Sequence, residues 1–109
     1  MSAADDLAAA RDLTRERIAA LEAQVAGIVE TASASSGDDE HDPEGQTIAY
    51  DRAQAQALLE GARNDLVEID AAFGRLDAGT YGVCEVCGRD IPGERLEARP
   101  AARRCVRHT

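Results

Sequence analysis

Cys84-Glu85-Val86-Cys87, seventeen intervening residues, then Cys105-Val106-Arg107-His108: two ligand-bearing pairs, each separated by two residues, lie in the last quarter of a 109-residue chain. A C-x2-C turn aims both sulfurs at one point, and a second pair completes a tetrahedron. Thiolate and imidazole ligands in that arrangement form a closed structural site for Zn²⁺. The distance between the pairs falls in the range of two-pair zinc sites. Gly82 and Gly88 flank the first pair, where the chain must turn tightly. All three cysteines of the chain and one of its two histidines lie here. The spacing therefore predicts one Zn²⁺ held by Cys84, Cys87, Cys105 and His108.

Other uses of these cysteines fit less well. A disulfide framework favours an even cysteine count and an export signal. A redox C-x-x-C needs a βαβ context, and no run of strands is visible. Catalytic zinc keeps a coordination position open, whereas four ligands close the shell. No enzyme activity is expected.

Upstream of this module, the pattern is helical. Ala4, Leu7, Arg11, Thr14, Ile18, Leu21, Val25, Ile28 and Ala32 alternate three and four apart, as do Ile48, Arg52, Ala55, Leu59, Ala62, Leu66, Ile69, Phe73 and Leu76. Such spacing makes an apolar seam that pairs one helix with another. With one Phe, two Tyr and no Trp, the chain suits close helix packing better than a large globular core. Ser2 and Asp5 resemble a capping box at the first helix start. Asp42, Pro43 and Glu44 can open the second helix, and Gly79 suits the position after its end.

The predicted fold is mainly α: a long antiparallel two-helix coiled-coil hairpin over residues 1–80, followed by a small zinc-finger module over 81–109. Residues 33–46 are small, acidic and turn-forming, and read as the tip loop. Helices of about thirty residues would each run on the order of 45 Å.

Charge narrows the partners. The net charge is −9, and the chain has no lysine. Residues 37–50 carry five acids (Asp38, Asp39, Glu40, Asp42 and Glu44) and no base, whereas residues 81–109 carry four acids and six arginines. A duplex binder shows a basic stripe, so direct DNA binding is not expected. Arg95, Arg99, Arg103, Arg104 and Arg107 read as a solvated face or as partners of helix acids, open to a partner. No apolar run approaches a membrane span, and no signal peptide is read. A cytoplasmic location is expected.

Gly79-Thr80-Tyr81-Gly82-Val83-Cys84-Glu85-Val86-Cys87-Gly88, followed by Ile91, Glu94-Arg95-Leu96-Glu97-Ala98-Arg99-Pro100, Ala102 and Cys105, resembles the DksA/TraR family of bacterial transcription factors. The hairpin before it is similar in layout only. The resemblance implies a regulator that binds RNA polymerase without DNA, its coiled coil entering the secondary channel and its tip reaching toward the catalytic centre. It also implies guanosine tetraphosphate as an effector in the polymerase complex.

The chain departs from the family pattern at three places. His108 stands where the four-cysteine form has Cys. The chain given ends at Thr109, without the helix that longer members carry after the finger. Of the family's Asp-x-x-Asp-x-Ala tip, Asp42 matches the first position, while Gly45 stands at the second Asp. Polymerase binding with an altered effect on initiation is expected. The alternative reading is a zinc-stapled coiled-coil scaffold or protein-interaction module with no polymerase role.

Overall fold

A computed structural model describes residues 2–34 and 43–108 of the chain, with side chains described for 2–28 and 47–108. Two long helices dominate, α1 (Ala3–Ala34) and α2 (Pro43–Ala78); a short helix, α3 (Gly93–Ala98), and a 3-10 turn over Val106–His108 follow. Among the described residues, extended pairing is limited to one isolated antiparallel bridge, Val83 with Asp90. α1 extends further than the sequence pattern suggests, through Ser33 and Ala34, while α2 begins at Pro43, where the Asp42-Pro43-Glu44 opening places it; the segment between the helices is 35–42.

Each helix has a local reason to begin or end where it does. At the start of α1, the Asp5 amide donates to Ser2 Oγ at 3.2 Å, and the Ser2 amide donates back to Asp5 Oδ2 at 3.4 Å. Asp thus fills the reciprocal role usually taken by Glu or Gln. At the end of α2, Gly79 has a left-handed φ of 78°. The Thr80 amide donates to the Arg75 carbonyl at 2.9 Å, and the Gly79 amide donates to the Leu76 carbonyl at 3.3 Å. This is the paired closure of a Schellman motif, which caps the last carbonyls and requires a residue that tolerates positive φ. The predicted N-cap, Asp42, lies outside the described residues.

The two helices pack antiparallel. As α1 advances from Leu7 to Leu21, its partners on α2 retreat from Ala72 and Ile69 to Ala62 and Leu59. The seam follows the predicted positions with three differences. Ala4 and Arg52 are exposed, and Ala72, off the predicted register, is fully buried. A straight helix drifts about 20° per heptad from a strict 3.5-residue repeat, so the contact stripe moves from the expected position to its neighbour. Arg11, a charged residue on the seam, is accommodated by laying its guanidinium over the Phe73 ring, 4.5 Å from the centroid. An arginine stacked on an aromatic face keeps a favourable electrostatic partner while its stem is covered.

By its contacts the chain forms two compact units, residues 1–14 with 65–109, and residues 15–64. In the first, Leu7, Ile69 and Ala72 form a cluster joined by Ala10, Phe73, Leu76, Tyr81 and Ala101. In the second, Leu21, Leu59 and Ala62 are joined by Ile18 and Val25. Both cores are thin: small alanines let the backbones approach, and few large side chains are fully covered. No described helix is long and apolar enough to cross a membrane.

Thin cores make single residues matter. Leu7 is 0% exposed, whereas Leu13, two turns along the same helix, is 67% exposed. Leu7→Ala should lower unfolding free energy by about 2–5 kcal/mol, and Leu13→Ala should stay within about 0.5 kcal/mol of wild type. Urea unfolding followed by circular dichroism measures both; equal effects would mean that Leu7 is not core.

Candidate metal centre

The cysteine-histidine module is built on three tight turns. After the α2 cap, the chain reverses at Gly82, with φ at 79°. A Cβ there would stand 3.4 Å from Leu96 Cδ1, so the left-handed backbone, rather than crowding, is the main reason for glycine. The first ligand turn closes through the Gly88 amide, which donates to the Cys84 carbonyl at 2.9 Å, while the Cys84 amide donates to the Arg89 carbonyl at 2.8 Å. The second closes through the His108 amide, which donates to the Cys105 carbonyl at 3.0 Å. The two halves are joined where the Glu85 amide donates to the Arg103 carbonyl at 3.0 Å. Beneath them Cys84, Ile91 and Cys105 are buried, with Leu96 of α3 packed against them. Val86 and Val106, two apolar residues of this module, are exposed instead. They sit on the outside of the ligand turns.

These turns bring the four predicted ligands together. One ligand atom from each of Cys84, Cys87, Cys105 and His108 lies within 4.8 Å of all the others. Cys87 Sγ is 3.9 Å from Cys105 Sγ, Cys84 Sγ is 3.7 Å from His108 Nδ1, and Cys105 Sγ is 3.1 Å from the same nitrogen. Around a tetrahedral ion with Zn–S bonds of about 2.3 Å, sulfurs stand about 3.8 Å apart. The donor set therefore fits zinc in type, number and separation. The cysteines are free thiols.

The electrostatics suit a cation. The Cys84 thiol is lowered to about 5, first by its backbone hydrogen bond from Cys105 and further by those from Cys87 and Val86, against the cost of burial. Its sulfur is therefore a thiolate at neutral pH, the form that binds metal. At Cys87 the backbone hydrogen bond from Arg89 pulls down, but burial and the neighbouring Cys84 and Cys105 sulfurs outweigh it, and the thiol is raised. Crowded sulfurs resist collecting negative charge without a counter-ion among them.

Contacts not visible in the ligand spacing tie this module together and hold it against α2. Tyr81 donates its hydroxyl to the Pro100 carbonyl at 2.8 Å, and Arg75 Nη2 donates to the Ala101 carbonyl at 3.3 Å. Burial first, then the charge of Asp6, raises the Tyr81 phenol, which keeps it a neutral donor. Arg103 grips Glu68 with two nitrogens, one of them at 3.1 Å. Arg104 Nε donates to Glu85 Oε1 at 2.7 Å. That bond, more than the charges of Arg104 and Arg103, lowers the Glu85 carboxyl. Arg95 Nε also donates to the Arg104 carbonyl at 2.8 Å, so three of the five arginines expected on a solvated face or as partners of helix acids are engaged within the molecule. Exposed pairs of this kind contribute little stability, but the bidentate grip fixes geometry. Glu68 and Arg75 carried no motif, because their partners lie 35 and 26 residues away in the chain.

Of the predicted tip residues, Asp38, Asp39, Glu40 and Asp42 lie outside the described residues. Glu44 is in the first turn of α2, its side chain outside those described.

Residues 79–107 match the prokaryotic dksA/traR C4-type zinc finger family. General stress protein 16O of Bacillus subtilis is 43% identical over 77 residues, which cover 71% of this chain and 47% of that protein. The RNA polymerase-binding transcription factor DksA of Haemophilus influenzae is 41% identical over 44 residues, 40% of this chain and 30% of that one. The chain thus spans less than half the length of these curated relatives. The structure of transcription factor DksA2 from Pseudomonas aeruginosa is similar over 94% of this chain and 79% of that one, with a TM-score of 0.55 and 27% identity. Matching finger sequence, paired helices and converging cysteines together make the chain similar to the DksA/TraR C4-type zinc-finger proteins.

Proposed function

We propose that this chain is a transcription regulator that binds RNA polymerase through its secondary channel, with its acidic loop directed toward the catalytic centre and its finger stapled by one Zn²⁺. The observation that carries the reading is the likeness to DksA2 across nearly the whole chain, finger and helices together, rather than the finger alone. DksA of Haemophilus influenzae is named for binding RNA polymerase, and this chain is read in the same role. It acts by occupancy and electrostatics, not as an enzyme, and in the cytoplasm, where polymerase is found.

The loop supplies the chemistry. Asp38, Asp39, Glu40, Asp42 and Glu44 put five carboxylates in fourteen residues without a base. Carboxylates brought near a Mg²⁺-centred site offer the hard oxygen ligands that ion prefers, or shift nearby basic groups electrostatically. Gly45 stands in place of the family's second tip Asp, so binding and regulatory effect separate. Asp42→Asn should leave polymerase affinity within a few-fold and change transcription from a sensitive promoter in a purified system. Co-purification with polymerase from the native host, with and without a competitor for the secondary channel, is the primary test. If the chain fails to bind at micromolar concentration, the polymerase role is wrong and the scaffold reading replaces it.

Cys84, Cys87, Cys105 and His108 hold the zinc. When bound, the ion contributes to folding the free energy that a core of Cys84, Ile91, Leu96 and Cys105 is too small to supply. Metal analysis of fresh protein should give close to one equivalent, and Cys105→Ser should lose it. Chelation should loosen residues 79–109 and leave most of the helical circular dichroism intact, since the α1–α2 seams bury apolar surface independently. Collapse of the whole helical signal on chelation would mean that finger and hairpin fold as one unit.

A further inference from the structure

We propose that His108 meets the metal through Nδ1, the ring nitrogen nearer the backbone, leaving Nε2 to carry the proton on the side of the ring away from the ion. The inference rests on the reading that the four residues ligate one ion. It specifies how a histidine serves in a position that four-cysteine fingers fill with cysteine.

Three observations carry it. The first is distance. Nδ1 lies 3.1 Å from Cys105 Sγ and 3.7 Å from Cys84 Sγ. A nitrogen and a sulfur sharing a tetrahedral Zn²⁺, with bonds of about 2.0–2.1 and 2.3 Å, stand about 3.5 Å apart. The two distances bracket that value.

The second is the turn. Cys105 and His108 are three residues apart on one tight turn, closed by the His108 amide donating to the Cys105 carbonyl at 3.0 Å. The Cys84–Cys87 turn closes one residue past its second ligand, with the Gly88 amide on the Cys84 carbonyl at 2.9 Å. Such turns leave a short reach from backbone to ion. A cysteine sulfur is two bonds from Cα, Nδ1 is three and Nε2 is four. Nδ1 is therefore the imidazole atom that comes nearest to the reach of the missing cysteine. Ligation through Nε2 would push the backbone outward and strain the turn. Zinc sites that pair two histidines use wider spacings, typically three to five residues between them.

The third is burial. Cys84 and Cys105 are 1% and 9% exposed, and His108 is only partly covered. The ring thus has its inner edge against buried sulfurs and another part open. With Nδ1 inward, the Nε2–H donor can be satisfied by water or by an acceptor on a partner, as metal-bound imidazoles require of their second nitrogen. With Nε2 inward, Nδ1–H would have to find its acceptor close to its own backbone.

The two modes differ in bond connectivity, and this makes the test direct. The full chain is loaded with ¹¹³Cd²⁺ in place of zinc and the imidazole protons are observed by NMR. A metal on Nδ1 is three bonds from Hε1 and four from Hδ2, so splitting should appear on Hε1 alone. A metal on Nε2 is three bonds from both, and splitting of both protons overturns the inference while leaving His108 a ligand. Cadmium bound with no splitting on any histidine overturns the ligand assignment itself. His108→Cys should keep one cadmium, move the ¹¹³Cd resonance toward that of four-sulfur sites, and lose the splitting. Persistence of the splitting in that variant would assign it to His41 and overturn the proposal.

Discussion

Three sulfurs and one imidazole nitrogen converge within 4.8 Å, and the C-terminal third of the molecule depends on that convergence. Sulfurs this close cannot all hold negative charge without a cation, and Cys84 and Cys87 are already driven in opposite directions, one lowered and one raised. Among the described residues, the cluster around them adds Ile91 and Leu96 as apolar support. The folded module is therefore a set of backbone turns that present ligands, and its stability is tied to whatever those ligands hold.

The module is not independent of the helices that precede it. The Schellman closure at Gly79 ends α2 and sets the direction in which the chain leaves it. Tyr81 and Ala101 then join the cluster of Leu7, Ile69 and Ala72, and the Arg103–Glu68 pair adds a fixed charge contact. Guanidinium and apolar contacts thus meet on one stretch of α2. Each is modest, and together they orient the finger. Glu85 lies between the first two ligands and Arg104 immediately before the third, so their ion pair bridges the two ligand turns directly.

The charge pattern gains meaning from this arrangement. Part of the arginine content of the finger is spent on Glu68 and Glu85, which leaves the module close to electrically balanced. The excess negative charge lies elsewhere, most densely over residues 37–50.

The ligand set, the helical class and the cap at Gly79 were legible in the sequence because each depends on local spacing: two residues between ligands, three and four between seam positions, one glycine after a helix. The family likeness was legible for the same reason, in the run from Gly79 to Cys105. The end of α1 at Ala34 was less so, since small and polar residues near a helix end carry no strong local preference, whereas the opening of α2 at Pro43 was signalled by its proline. What the tertiary structure decided is where separate stretches meet. It chose Ala72 over the strict heptad position, because helices drift around each other; it laid Arg11 on Phe73; and it drew Glu68 to Arg103 and Tyr81 to Pro100. It also turned Nδ1 of His108 toward the sulfurs. Spacing can name the residues that converge on a point, but which atom arrives there follows from backbone geometry that only the folded chain possesses.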